Sequence, residues 1–455
     1  MTGVTRFSAR WILPVSAPPI ENGAVLVEDG RIARVGPAAD VPAPDAASIV
    51  ELGNAALLPG LVNVHAHPEL SILRGALEDL PFHDWISRLR RIKASFSTED
   101  WRDAARWTCA EAAAAGITTL AATEDSDATV IALRDAYMRG VAFREVFGPA
   151  PEAADESLRG LRASVAEMRA LETDLVRVGV SPHAPYSVSA ELFGRVARFA
   201  READLPVAVH IAESDAEQKL VSEGSGPFAS ALRARGITIP ASGESPIALL
   251  ERSGILRLAP LLIHCVRVDA QDIRRIGNAG ARVAHCPVAN ARLGHGIAPV
   301  PELLEAGVAV GLGTDSVASN NRLDLLEEAR IAQLMQRTRL LSATLLPAER
   351  LLEMVTIDGA RALGLDDRIG TLEVGKDADL CAIALTGTHA RPLFDPVAAL
   401  IMSARASDTV LTVVRGRTVY RNGVHCTQDV RALGRRIDAL GERVRAAAVS
   451  LPSQV

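Results

Sequence analysis

The chain has 455 residues, 48% of them hydrophobic and 23% charged, a soluble globular composition too long for one ordinary core. A net charge of -6 argues against nucleic-acid binding as the main activity, and no apolar run reaches the roughly 18 residues that a membrane span needs. Of the 49 basic residues only Lys93, Lys219 and Lys376 are lysines, which reads as codon bias and not as a functional basic patch.

The first residues, 1–8, lack the apolar core and small-residue cleavage site of a signal peptide. Asp29-Gly30 then stands between two alternating apolar segments, a strong hairpin signal. From residue 57 strand-like runs alternate with helical stretches. The runs are 57–64, 116–121, 141–147, 175–180, 206–209, 261–263, 281–286 and 307–313. Between the first two, the pattern of 98–115 is helical, with Thr98 able to cap it and Asp100 favouring its first turn. Eight such units predict an α/β fold, a (β/α)8 barrel over 57–365. A doubly wound sheet is the competing arrangement, but no glycine-rich dinucleotide fingerprint follows the first strand. Short strands return after the barrel, so 1–56 and 366–425 are expected to build one small β-sandwich from both chain ends. Residues 426–455 close the chain, with an arginine-rich surface helix over 430–448. The five cysteines, at 109, 265, 286, 381 and 426, are scattered and fit reduced thiols in a cytoplasm.

Histidines and one aspartate fall at the ends of the strand runs. His65-Ala66-His67 follows the first, His183 the fourth, His210 the fifth, His264 the sixth and Asp315 the last. In a strand, His-x-His puts both imidazoles on one face, where they reach one ion. Adding His210 and Asp315 gives three imidazoles and a carboxylate, a set that takes zinc or iron. Strand ends are where a barrel gathers its active site. Glu213, three residues past His210, is either a proton shuttle beside such an ion or a solvated loop glutamate. His264 is either a core histidine or a catalytic one.

These residues, from the segment 57–67 to Gly375-Lys376-Asp377-Ala378-Asp379-Leu380, resemble the amidohydrolase superfamily and its mononuclear-metal aminohydrolase branch. The resemblance covers nearly the whole chain. It implies His65, His67, His210 and Asp315 as ligands of one divalent ion, zinc or alternatively iron. Glu213 and His264 flank the attacking water, and Asp315 doubles as its base. Two-metal relatives carry a lysine at the end of the fourth strand; here that segment, 181–187, has none. His183 and Ser319 match substrate residues of the nucleoside-processing members, and Arg144 could reach an acidic or ribose group. The stretch 210–228 and His65-Ala66-His67-Pro68-Glu69-Leu70-Ser71 resemble aminodeoxyfutalosine deaminases, with Pro68 and Ala289 departing from their pattern. The activity so implied is hydrolytic deamination of a 6-aminopurine nucleoside. Aminodeoxyfutalosine comes first as substrate, then S-adenosylhomocysteine or methylthioadenosine. The alternatives are a triazine or pyrimidine chlorohydrolase or aminohydrolase, a guanine or cytosine deaminase, and, remotely, an inactive barrel scaffold. The expected partners are a small-molecule substrate and a second copy in a homodimer, in a cytoplasmic protein that binds neither nucleic acid nor membrane.

Overall fold

The computed structural model describes residues 3–449. Eight parallel strands form its centre: β1 Leu61–Ala66, β2 Ile117–Glu124, β3 Arg139–Val146, β4 Val176–Pro182, β5 Ala208–Ile211, β6 Leu261–His264, β7 Arg282–His285 and β8 Val310–Leu312. Each pairs with the next within the two halves β1–β4 and β5–β8. Parallel bridges Val180 to Val207 and Ala66 to Asp315 join the halves into a closed ring. Val62, Val64, Ala121, Val141, Phe143, Ala208, Leu261, Ile263 and Ala284 pack together as the barrel interior, a solid core and not a pore.

The run 57–64, expected as one strand, is cut at Gly60. Ala55–Pro59 belongs to the terminal sheet and Leu61–Ala66 opens the barrel. A Cβ at Gly60 would overlap Thr118, so only glycine allows the chain to cross between the two layers there. The two chain ends do share one sheet of nine strands, in which Ala55–Pro59 lies between Val4–Ile12 and Leu380–Ala384. Asp29 and Gly30 both have positive φ, 49° and 78°, as a two-residue hairpin turn requires. That turn packs onto Arg415, so the sheet curls back as a sandwich over Phe7, Ile12, Val25, Leu57, Leu380 and Leu411. A buried ion pair ties this sandwich to the barrel floor: Arg139 Nε donates to Asp379 Oδ2 at 2.7 Å and Nη2 to Asp377 Oδ2 at 2.9 Å.

Between β1 and β2 the chain runs through a short 3-10 helix, Pro68–Leu73, then α1, Phe82–Lys93, and α2, Thr98–Ala114. The α2 cap is Ser97, not Thr98 as the sequence suggested. Ser97 accepts from the Asp100 backbone while Asp100 accepts in return, a capping box that Thr98 could not close. The C-terminal helix, Val430–Val449, lies on α2 through Arg436 to Asp103 at 2.6 Å and Arg443 to Asp100 at 2.8 Å. Among the described residues no helix is long and apolar enough to cross a membrane, and the five cysteines are free.

Candidate active site

The register between β1 and β2 shifts from Asn63 to Ala66, where the histidine pair leaves the sheet. Asn63 is fixed across the barrel seam, donating to Thr314 Oγ1 at 2.8 Å and accepting from the Thr314 backbone at 3.1 Å. Asp315 closes the same seam, its N–H donating to His65 O at 3.0 Å. His264 and Asp315 have φ of 77° and 55°, and Ala212, next to Glu213, has 51°. Left-handed backbone at non-glycine residues is strained, and here it turns each chain sharply inward at its strand end.

Asp315 Oδ1 lies 3.2 Å from His65 Nε2 and 3.4 Å from His67 Nε2. The His210 ring stands 4.9 Å from that of His65 and 5.4 Å from that of His67. Donor atoms of His65, His67 and His210 fall within 4.8 Å of one another, and so do those of His65, His264 and Asp315. A tetrahedral ion with ligands at about 2.0–2.1 Å separates them by roughly 3.3 Å, so the spacing of Asp315 from both β1 imidazoles fits one ion. Protonation favours this too. Burial, then the neighbouring His65, pulls His67 down to about 3, while burial and the His183 and His65 imidazoles push His210 well below its ordinary value. Burial would raise Asp315, but the His65 hydrogen bond and nearby imidazoles outweigh it and hold the carboxylate below the usual range. Neutral imidazoles beside an ionised carboxylate are the ligating forms.

Glu213 stands against this cluster. Its Oε1 is 3.5 Å from His264 Nε2 and 3.2 Å from His295 Nε2, and Tyr186 Oη donates to Oε2 at 3.5 Å. Burial raises its carboxyl, yet His264 and His295 prevail and hold it below the ordinary value. Asn290 Oδ1 accepts from His264 Nδ1 at 3.0 Å. With Nδ1 donating, the imidazole turns Nε2 toward Oε1, where a proton brought in between the two would be shared.

The other expected residues lie around this cluster. Ser319 is buried and turned to the cluster, donating to Asp315 Oδ2 at 2.8 Å. His183 lies at the rim, its Nδ1 2.7 Å from Ser187 Oγ and its carbonyl accepting from His210 Nδ1 at 3.3 Å. Arg144 keeps a buried Nη1 without a partner. Its neighbour Glu145 comes within 3.9 Å of both His183 Nε2 and His210 Nδ1, and burial, then the Asp125 charge, lifts it to about 8. His295, Asn290 and Tyr186 received no role from the sequence. Asn290 and Tyr186 sit in the motifs after the seventh and fourth strands, and His295 is flanked by glycines, Gly294 and Gly296. A cavity of about 180 Å³ reaches Ser319 between Leu80, Trp85, Leu293 and Ala318.

Imidazoles and a carboxylate gathered at the C-terminal ends of a parallel barrel define a metal-dependent barrel enzyme. Residues 56–419 match the amidohydrolase family, and residues 23–46 match a bacterial imidazolonepropionase-like composite domain. A 5-methylthioadenosine/S-adenosylhomocysteine deaminase of Syntrophobacter fumaroxidans is 36% identical over 93% of this chain and 92% of its own. A 5'-deoxyadenosine deaminase of Methanosarcina barkeri is 32% identical over 88% of each. The crystal structure of an adenosine deaminase from Xanthomonas campestris with bound zinc superposes with a TM-score of 0.86 at 29% identity, covering 97% of this chain and 98% of that one. The chain belongs to the amidohydrolase family.

Proposed function

We propose that the protein is a metal-dependent hydrolytic deaminase of 6-aminopurine nucleosides that carry a 5′ substituent. The observation that carries this reading is Glu213 lying 3.5 Å from His264 against the histidine–aspartate cluster. Deamination needs both halves of that arrangement, a nucleophilic water and a proton for the ring. His65, His67, His210 and Asp315 would hold one divalent ion. Zinc, present in the Xanthomonas campestris structure, is the reading adopted, with iron as the alternative. When bound, such an ion supplies a water acidified to a pKa of about 7.

The chain's own residues then do the rest. Asp315 Oδ1 faces the β1 imidazoles, and Oδ2, steadied by Ser319, is the oxygen that takes the proton from the water. His264 orients that water through Nε2. Glu213 passes a proton to a ring nitrogen of the purine, which makes the adjacent C6 electrophilic. The water oxygen adds to C6, the carbon becomes tetrahedral, and Asp315 returns its proton to the amine; the C6–N bond breaks, ammonia leaves, and the C6 hydroxyl proton passes to Glu213 as the carbonyl forms. His183 and Glu145 at the rim are suited to ribose hydroxyls, and Arg144 to an anionic group further out. The named relatives support S-adenosylhomocysteine, methylthioadenosine or 5′-deoxyadenosine as substrate, and aminodeoxyfutalosine shares the same reacting ring.

Ammonia release from the zinc-loaded chain, over adenosine derivatives, free adenine, cytosine, guanine and a chlorotriazine, tests the proposal. The expected result is fastest turnover on a 5′-substituted adenosine, with His183→Ala slowing nucleosides far more than free bases. Faster turnover of cytosine, guanine or the chlorotriazine than of every adenosine derivative would overturn it.

A further inference from the structure

His295 lies in the segment after the short helix Pro287–Arg292, which follows β7. Gly294 and Gly296 on either side have φ of 71° and 113°, conformations that side-chain-bearing residues rarely adopt. The backbone N–H of His295 donates to Asn290 O at 2.9 Å, the same residue whose side chain holds His264. This tight turn drives the imidazole inward until it is 3% exposed. Its Nε2 is buried without a hydrogen-bond partner of good geometry, and the carboxylate oxygen it approaches is Glu213 Oε1, at 3.2 Å. Phe82, the first residue of α1, stacks edge-on against the ring at 4.5 Å and 80°.

We propose that His295 is a positioning residue for Glu213, an inference that rests on the role given to Glu213 above. A glutamate has three side-chain torsions, and one long contact to His264 leaves the carboxyl free to swing. His295 Nε2 stands 3.2 Å from Oε1 and a small turn of the ring would make it a donor there; with Tyr186 Oη on Oε2, it would hold both oxygens and so fix the direction in which the proton is offered. A histidine kept only as packing for Phe82 would gain nothing from burying a polar nitrogen against a carboxylate. Because Phe82 backs the imidazole, the alignment also depends on where the first turn of α1 packs.

The test uses the full zinc-loaded chain and the best adenosine derivative from the panel. His295→Leu keeps the bulk and removes the donor, whereas His295→Gln places an amide N–H at similar reach. His295→Leu should lower kcat about 10- to 100-fold, as misplacement of a catalytic group by about 1 Å does, with KM changed less than about 3-fold and bound zinc unchanged. His295→Gln should restore most of kcat. A purely structural role predicts otherwise, with loss of melting temperature and zinc and no preference for glutamine. Should His295→Leu not fold, His295→Asn, too short for the contact, carries the same expectation of a kcat loss at intact zinc. Wild-type kcat in the folded leucine or asparagine variant, or equal losses in leucine and glutamine, overturns the proposal. If Glu213→Gln itself turns over at the wild-type rate, it is the underlying role of Glu213 that has failed.

Discussion

Gly313→Ala tests whether the seam between β8 and β1 sets the geometry of the site. A Cβ at position 313 would sit 2.9 Å from His65 Cβ and 3.0 Å from both the nitrogen and the oxygen of His65. Carbon atoms rest about 3.5–4.0 Å apart, so the two strands must part by roughly 0.5–1 Å. Overpacking of that size costs about 1–3 kcal/mol of stability. The same movement strains the bond from Asp315 N–H to His65 O, now 3.0 Å, and lengthens the 3.2 Å gap between Asp315 Oδ1 and His65 Nε2. One ion could no longer meet both donors at about 2.0–2.1 Å without distortion. Gly160→Ala is the matched control. It lies mid-helix in Ala154–Arg169 with nothing within 4 Å of the added carbon, so it should stabilise by about 0.5–1 kcal/mol. Urea unfolding of the metal-free chains and zinc competition against a chelator measure both effects. A Gly313→Ala chain with wild-type unfolding midpoint and zinc affinity would refute the claim that this close approach holds the site.

Glu213→Gln should keep its zinc while losing about 100- to 10,000-fold in kcat, since an amide cannot carry the proton; a metal-loaded assay with zinc analysis decides it. Asp379→Ala should leave the buried Arg139 with Asp377 alone and destabilise by about 3 kcal/mol, seen as a lower denaturant midpoint. His285 is buried with neither ring nitrogen partnered, and burial, then His264, lowers it to about 3. The unfolded imidazole takes up a proton near its ordinary value of 6.5 and the folded one does not, so stability should fall as pH drops from about 6.5 toward 3. His285→Leu should flatten that dependence in denaturant titrations at stepped pH.

What the sequence made legible is what strand geometry alone controls. His65, His67, His210, His264 and Asp315 each end an apolar run, and the barrel ring gathers all such ends at one mouth whatever the loops do. The Asp29-Gly30 hairpin was equally readable, because only a positive-φ pair closes a two-residue turn between strands. Gly60 was not, since an uninterrupted apolar run gives no sign that a threonine 58 residues later leaves no room for a side chain. Ser319 was found, but not its bond to Asp315. Four residues after Asp315 it lies one turn on, near enough to substrate or to Asp315, and only the fold of 316–320 turns its hydroxyl onto Oδ2. His295, Asn290 and Tyr186 escaped a role because they reach Glu213 and His264 from the segments after other strands, at separations that no local pattern encodes. The division has a chemical sense. Groups proposed to meet an ion within a few tenths of an ångström sit at or beside the strand ends of the rigid barrel, whereas those that surround Glu213 and His264 come from the segments that follow other strands.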